Sequence, residues 1–273
     1  MLVIDVGAAS GEFSKHVLTF NSCASVFMIE PNHELNQHHL ETLVKDFQPR
    51  ARYFPNALGD QNGMVKFYGS KVLNGQIGSI FRINPEKRWD SSIIKQINFE
   101  AIQEVIEVKM KSVENFISEN QITKIEFLKI DTQGNDLNLL ELFLKNSEVQ
   151  CAVVEVNVND KIEDNIYLGS DNSIKRIFEI SQKYDYILFK FLPNVDLTEF
   201  NVFLCKNLEM GLKIIEDLKI PMSETFGRYW RVLGIGETYY SESNLRNLLL
   251  KKLYTGFLHP KQSLKSVINK IVR

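Results

Sequence analysis

The sequence has few cysteines, little net charge and no long apolar run. Its three cysteines, Cys23, Cys151 and Cys205, are far apart and form no Cys-x-x-Cys or Cys/His ligand spacing. We therefore expect reduced thiols in a cytoplasmic protein rather than disulfides or metal ligands. The net charge of -2 gives no global basic signal for nucleic acid. Because no apolar stretch approaches the roughly 20 residues of a spanning helix and no basic segment opens the chain, neither a membrane span nor a signal peptide is predicted.

What the sequence does contain is a series of short apolar runs separated by segments with helical periodicity. Such alternation is typical of a mainly parallel sheet covered by helices, and 273 residues suffice for one large α/β domain with an appendage. Helical spacing of apolar residues is clear at Leu40, Leu43 and Phe47, and again at Leu137, Leu140 and Leu144. We predict a main domain over 1–206 and a C-terminal helical extension over 207–273. The predicted strands are residues 2–6, 25–30, 52–57, 126–130, 151–156, 186–191 and 201–205.

Residues 58–112 interrupt this rhythm with a short hairpin strand, a Gly- and Pro-punctuated stretch, and a return strand at 105–110 that precedes a helix at 113–118. Long irregular segments inside a compact domain are often functional, so 70–104 is interpreted as a variable, substrate-facing lid, with a plain surface excursion as the alternative. Its candidate substrate contacts are Ser79, Arg82 and Trp89, joined by Arg88. Hydroxyl and guanidinium groups would bind sugar hydroxyls or an anionic group, and the indole would stack.

The last part of the chain, 243–273, carries seven basic residues and no acidic one. Leu264, Val267, Ile268 and Ile271 form a helical apolar stripe beside those lysines. This partly basic amphipathic pattern suits a peripheral membrane surface or a protein partner, and equally a terminal helix that packs on its own domain. Since the rest of the chain is acidic, nucleic acid is not an expected partner.

The stretch "VIDVGAASG" at residues 3–11 predicts a strand that ends in a glycine-rich turn, where backbone can approach a ligand closely. Glu30 closes the next strand in "FMIEPN", and a carboxylate there suits two ribose hydroxyls. The turn reads Gly7-Ala-Ala-Ser-Gly11, without the middle glycine of a dinucleotide fingerprint. Asp5 would also disfavour a nearby phosphate, whereas it could pair with an ammonium group. A cofactor with a ribose, an amino acid part and no phosphate fits better, and S-adenosylmethionine is such a molecule.

Five segments in order, "VIDVGAASGEF", "MIEPN", "NALGDQNGMVKFY", "SVENFI" and "IEFLKIDTQGNDLNLL", resemble the FkbM family of S-adenosylmethionine-dependent methyltransferases. The resemblance runs from about residue 2 to 156 and more weakly to 205. It implies a Rossmann-like class I methyltransferase fold with a seven-stranded sheet, and O-methylation of sugars or other natural products. The family usually has a helix before the first strand that closes over the cofactor. The sequence begins at that strand, so retention of the cofactor would require a lid from the tail or from a partner; the alternative is a start site placed too late.

The same resemblance implies the site residues. Asp5, Gly7, Ala9 and Gly11 would line the methionine part, together with Ser10, which stands where isoleucine is common. Glu30, followed by Pro31, would bind the ribose, and Ala57 and Leu58 would flank the adenine. Asp131 and Gln133 of "KIDTQG" would face the reacting methyl group.

Two acidic residues are candidates for accepting the proton of a substrate hydroxyl. Asp131 is the first and Glu155, near the end of the next strand, is the second. The alternatives are a helix cap for Asp131 and a structural pairing for Glu155. No metal is predicted.

The sequence thus predicts an O-methyltransferase acting on a small molecule or glycan, with a hydroxyl of a sugar or polysaccharide-pathway substrate as the acceptor. The alternatives are an NAD(P)-dependent oxidoreductase on a similar sheet, or a non-catalytic relative that docks through its basic tail.

Overall fold

Ten strands and six helices form the part of the chain that the computed structural model describes, residues 1–70, 78–84, 103–157, 165–193 and 199–220. The strands are Leu2–Val6 (β1), Ser25–Ile29 (β2), Ala51–Phe54 (β3), Ala57–Gly59 (β4), Gly63–Ser70 (β5), Gln103–Ser112 (β6), Lys124–Ile130 (β7), Glu148–Asn157 (β8), Ile187–Pro193 (β9) and Glu199–Cys205 (β10). The helices are Glu12–Phe20 (α1), His33–Asp46 (α2), Val113–Glu119 (α3), Asp136–Asn146 (α4), Ile174–Tyr184 (α5) and Leu208–Asp217 (α6).

The main sheet has seven strands in the order β3-β2-β1-β7-β8-β10-β9. Among these described strands, β10 alone runs antiparallel to the other six. Helices cover both faces, with α1, α2 and α6 on one side and α3, α4 and α5 on the other. The predicted fold, a seven-stranded, mainly parallel Rossmann-like sheet, is confirmed. Strand order reverses between β1 and β7, and ligands of such sheets bind beyond the carboxyl ends of the strands at that point.

One predicted strand, residues 52–57, is wrong, because it is divided between two sheets. The strand β3 ends at Phe54 in the main sheet, and β4 begins at Ala57 in a separate three-stranded sheet of order β4-β6-β5. Pro55 has no N–H to continue the ladder. The N–H of Asn56 instead bonds back to the carbonyl of Phe54 at 2.9 Å, so the chain turns.

The helix after the last strand, α6, packs on the same face as α1. Ile214 and Ile215 join the apolar core of that face. Gly211 allows close approach, because an added Cβ would lie 2.8 Å from the Cβ of Cys205. An amide hydrogen bond of 2.9 Å from Asn21 to the carbonyl of Asp217 links the ends of α1 and α6. The rest of the predicted extension, including the basic tail at 243–273, lies outside the described residues.

None of the helices within the described ranges is long and apolar enough to cross a membrane.

Candidate active site

The turn after β1 packs directly against the turn after β7. Gly7 has a φ of 78°, and a Cβ at this position would lie 1.8 Å from the backbone oxygen of Asp131. Ala9 and Gly11 also have positive φ, at 45° and 82°. The N–H groups of Gly7 and Ala8 bond to the carbonyl of Ile29 at the end of β2. The predicted glycine-rich turn is therefore present, and the absence of a side chain at residue 7 is what brings it to Asp131.

Glu30, which follows β2, is bound to the same turn. One carboxylate oxygen accepts a 2.9 Å hydrogen bond from the N–H of Ala9, and the other accepts a 2.8 Å bond from the N–H of Asn32. The side chain is buried, and this burial raises the pKa of Glu30 to about 7 although both N–H bonds lower it. A carboxylate can accept about four hydrogen bonds, so further donors such as ribose hydroxyls would stabilise its charged form.

Asp5 is fully buried and paired with Lys129 of β7. The ammonium group of Lys129 lies 3.0 Å from one oxygen of Asp5, and the hydroxyl of Ser14 donates to the other oxygen at 2.7 Å. Lys129 also donates to the carbonyl of Gly7 at 3.2 Å. Desolvation raises the pKa of Asp5, against the opposing effect of Lys129. The cation beside Asp5 is thus Lys129, a residue of the chain, and the contact of Asp5 with a cofactor stays a prediction.

The remaining residues predicted to bind the cofactor lie near these turns or in the second sheet. Ala57 and Leu58 are buried in β4, where Leu58 contacts the main core. Ser10 and Pro31 are partly exposed in the turns after β1 and β2. Their contact with a cofactor stays a prediction.

Asp131, Gln133 and Glu155 meet at the carboxyl ends of β7 and β8. The amide nitrogen of Gln133 donates 3.1 Å hydrogen bonds to Asp131 Oδ1 and to Glu155 Oε2. Burial and the neighbouring carboxyl of Glu199 raise the pKa of Glu155 well above its usual range. The structure therefore brings together the three residues that the sequence assigned to the reacting centre.

The N-cap residue of α4 is Asn135 rather than Asp131, and the first helical residue, Asp136, binds the preceding turn. The carboxylate of Asp136 accepts the N–H groups of Thr132 and Gly134, both at 2.9 Å. Burial raises its pKa to about 6. Asn172 donates to the same carboxylate at 3.2 Å and to the backbone oxygen of Glu155 at 2.7 Å. Because Asp136 takes these N–H groups, the carboxylate of Asp131 is left to side-chain partners.

The predicted substrate contacts are only partly described. Ser79 is buried, and its hydroxyl donates to the backbone oxygen of Gln133 at 2.6 Å. Arg82 is exposed, and its carbonyl accepts the N–H of Leu168 at 2.9 Å. Ser79 thus holds the turn after β7, and its contact with substrate stays a prediction. Trp89 and Arg88 lie outside the described residues, as does most of the predicted lid at 70–104.

Three residues of the site were not predicted from the sequence: Lys129, Tyr167 and Glu199. A lysine inside the apolar run "FLKI" was a usable signal, since a buried lysine needs a carboxylate partner. Glu199 and Tyr167 gave no such signal. The antiparallel register sets Glu199 opposite Asn157 and Asn201 opposite Glu155, so Glu199 and Glu155 share one face. Tyr167 donates a short hydrogen bond to Gln133 Oε1.

A comparison with protein families identifies the family to which the chain belongs. The model of the FkbM methyltransferase domain matches residues 5–188, more than half of the chain. The chain belongs to the FkbM methyltransferase family. The predicted family is confirmed, and the FkbM protein is an S-adenosylmethionine-dependent methyltransferase rather than an NAD(P)-dependent oxidoreductase. No curated protein matches its sequence.

Solved structures resemble the FkbM protein only distantly. One is a precorrin-6y C5,15-methyltransferase from Geobacter metallireducens, with 10% identity, 76% of this chain and 80% of that chain covered, and a TM-score of 0.37. Another is a SAM-dependent methyltransferase from Aquifex aeolicus, with 11% identity, coverage of 76% and 82%, and a TM-score of 0.36. A third is the O-methyltransferase NcsB1 from neocarzinostatin biosynthesis with S-adenosyl-L-homocysteine, at 11% identity, coverage of 74% and 48%, and a TM-score of 0.35.

The residues of the FkbM protein fit S-adenosylmethionine. Gly7 lies at the strand-order reversal, where its missing side chain lets the turn pack on Asp131, and buried Glu30 lies where ribose hydroxyls need an acceptor. Asn36 adds a buried amide nitrogen that has no hydrogen-bond partner among the residues that the structure describes. It lies one helical turn before Leu40, whose side chain contacts Gly11. Within the described ranges, no group of three or more His, Cys, Asp or Glu residues is arranged to hold a metal ion.

Proposed function

We propose that this methyltransferase methylates a hydroxyl oxygen, and that the hydroxyl belongs to a sugar or to an intermediate of glycan or polysaccharide synthesis. The observation that carries the proposal is the pair of carboxylates, Asp131 and Glu155, bound to one amide nitrogen of Gln133. This pair lies beside the turn at Gly7, whose Cα packs on the backbone of Asp131. S-adenosylmethionine, when bound, supplies an electrophilic methyl group on a positively charged sulfur.

The residues of the pair suit the needs of an alcohol acceptor. A neutral hydroxyl must lose its proton as its oxygen becomes an ether oxygen, and a carboxylate in hydrogen-bond contact can take that proton. Gln133 binds one oxygen of each carboxyl group. The second oxygen of Asp131 lies 3.7 Å from the ammonium group of Lys129, beyond hydrogen-bond distance, and we propose that it accepts a hydrogen bond from the substrate hydroxyl. Asp131 is the first candidate. Glu155 is the second, and its raised pKa makes its ionised form a stronger base than an ordinary glutamate. Two carboxylates also match the several hydroxyl donors of a sugar.

Two further expectations belong to this proposal. The thiol pattern favours a cytoplasmic location. The basic tail at 243–273 is proposed to dock on an anionic membrane surface or a protein partner, and such binding should weaken as salt is added.

The cofactor half of the proposal is tested by calorimetric titration with S-adenosylhomocysteine. We expect saturable binding that weakens at least about tenfold in Glu30→Ala, since a hydrogen bond to a charged group contributes about 1.5 kcal/mol or more. Glu114→Ala, which removes an exposed glutamate of α3, should bind like the wild type. Binding of NADH without S-adenosylhomocysteine by the folded protein would overturn the proposal.

The acceptor half is tested by transfer of a labelled methyl group to a panel of neutral sugars and oligosaccharides. We expect an alkali-stable ether product, and loss of transfer in Asp131→Asn with cofactor binding retained. Transfer to carbon or nitrogen acceptors alone would contradict O-methylation. Binding of S-adenosylhomocysteine without transfer to any acceptor, and a biological effect that survives Asp131→Asn, would favour the non-catalytic alternative.

A further inference from the structure

Gln133 is held from its backbone as well as from its side chain. It adopts a left-handed conformation, with a φ of 58°, in the turn between β7 and α4. Its backbone oxygen accepts the hydroxyl of Ser79, and the next carbonyl, that of Gly134, accepts the hydroxyl of Ser170 at 2.7 Å. Two chain segments that are distant in sequence therefore fix the turn. These backbone bonds do not fix the orientation of the Gln133 side-chain amide.

The amide group of Gln133 has two faces of opposite polarity, and each must meet the right partner. Its nitrogen, which can only donate, bonds to one oxygen of Asp131 and one oxygen of Glu155. Its oxygen consequently points away from them and needs a donor. The hydroxyl of Tyr167 is that donor. If the amide rotated by half a turn, its oxygen would face the acceptor oxygens of Asp131 and Glu155, and the Tyr167 hydroxyl would lose its acceptor.

Tyr167 is itself rigidly held. Its side chain is fully buried and packs on Gly134, where an added Cβ would lie 3.1 Å from the Cβ of Tyr167. Its neighbour Ile166 pairs with the described part of the predicted lid, since the carbonyl of Ile166 accepts the N–H of Asn84 at 2.7 Å. Burial and the carboxyls around it raise the pKa of the Tyr167 phenol well above its usual value. The phenol therefore stays protonated and acts as a donor.

We propose that Tyr167 is a positioning residue of the acceptor site, because its hydroxyl fixes the Gln133 amide that holds Asp131 and Glu155. The inference rests on the proposed function, in which these two carboxylates orient the acceptor. In this role Tyr167 acts through Gln133. A sequence-distant tyrosine thus sets the geometry of two carboxylates that come from different strands.

The first test compares Tyr167→Phe with Tyr186→Phe. Tyr186 is a matched control, because its hydroxyl also donates a buried hydrogen bond, to the carbonyl of Val149 at 2.5 Å. Selective labelling of glutamine side chains with nitrogen-15 reports on the amide directly by NMR. We expect the Gln133 amide signals to shift or broaden in Tyr167→Phe and to stay in place in Tyr186→Phe. Unchanged signals in Tyr167→Phe would overturn the proposal.

The second test is kinetic. With an active acceptor, kcat of Tyr167→Phe should fall about 10- to 100-fold, as expected for a small displacement of catalytic groups, while the Kd for S-adenosylhomocysteine stays within about twofold. In a Gln133→Leu background the same change should have no further effect on kcat, because the proposed role of Tyr167 requires that amide. Additive losses would overturn the proposal.

The two readouts separate the two hypotheses. A shifted Gln133 amide in a protein that transfers methyl groups to no hydroxyl would support the role of Tyr167 and contradict the proposed function. Should Tyr167→Phe fail to fold, the wild-type protein carries the test. Its Tyr167 hydroxyl proton should exchange slowly and show a nuclear Overhauser effect to the Gln133 side chain, and the lack of that contact would contradict the proposal.

Discussion

At the residue scale, the buried pair of Asp5 and Lys129 ties the turn after β1 to β7. Lys129 is nearly fully buried and contacts Asp5 at 3.0 Å, the carbonyl of Gly7 at 3.2 Å and Asp131 Oδ2 at 3.7 Å. Burial alone would lower the pKa of Lys129, yet Asp5 and Asp131 outweigh it and raise that pKa. The lysine therefore stays charged. It compensates two carboxylates beside the predicted cofactor turn, and removing it would leave Asp5 as an unpaired buried charge.

Lys129→Met should destabilise the protein by about 3–5 kcal/mol, the usual cost of breaking a buried ion pair. Chemical denaturation in urea measures this change. Lys213→Met is the control, because Lys213 pairs with Asp217 on the exposed surface of α6 and such pairs contribute about 1 kcal/mol or less. The double variant Asp5→Asn with Lys129→Met should be more stable than the sum of the single losses indicates. Equal losses in Lys129→Met and Lys213→Met would refute the role of the buried pair.

At the element scale, the strands were predictable because the sheet is covered on both faces. Residues such as Ile4, Phe127 and Val154 form continuous apolar runs that are buried as expected. The split of residues 52–57 into β3 and β4 was not predictable from apolarity, since Pro55 and Asn56 decide it through backbone hydrogen bonding. The second sheet depends on the pairing of β4 with β6, two segments far apart in sequence.

The same reasoning explains which parts of the site the sequence indicated. Asp131, Gln133 and Glu155 follow or end predicted strands, and parallel strands bring their carboxyl ends to one edge. Tyr167 lies outside any periodic element, and the antiparallel strand β10 delivers Glu199. Their contact with Glu155 or Gln133 depends on tertiary pairing that a single sequence does not encode in a local pattern.

The turn between β1 and α1 yields a prediction at the same scale. Gly7→Ala should be strongly destabilising and should abolish S-adenosylhomocysteine binding, because the new Cβ would overlap the backbone oxygen of Asp131 at 1.8 Å. Gly169→Ala is a matched control. Gly169 has nearly the same φ, 79° against 78°, but open space around the added Cβ.

Gly169→Ala should therefore show only the strain of a left-handed residue, about 1–2 kcal/mol. Urea denaturation and calorimetry measure both variants. If the two alanines cost the same, close packing between the turns is not what requires glycine at position 7.

At the scale of the whole molecule, acidic side chains converge on one edge of the sheet. Glu30, Asp136 and Glu155 lie at the ends of elements there, and burial raises the pKa of each. A carboxyl group with a raised folded-state pKa binds its proton more tightly in the folded protein than in the unfolded chain. Its contribution to stability is complete below the unfolded pKa and is lost as the pH rises through the folded pKa. These three carboxyl groups therefore lower the free energy of unfolding at neutral pH relative to mild acid.

The free energy of unfolding should accordingly fall between pH 5 and pH 8. For Glu30 the rise in pKa from 4.5 to about 7 corresponds to a loss of about 3 kcal/mol over this interval. Urea denaturation across the interval measures the slope, which should be shallower in Glu30→Gln. In Glu141→Gln the slope should match that of the wild type, because Lys183 lowers the pKa of Glu141 and the contribution of this group is lost only in more acidic solution. Two results would contradict a raised pKa of Glu30 in the folded protein: a free energy of unfolding that rises from pH 5 to pH 8, or an unchanged slope in Glu30→Gln. A shallower slope would mean that this carboxyl is partly protonated near neutral pH in the ligand-free protein. A ligand that donates hydroxyls to it would then bind with release of a proton.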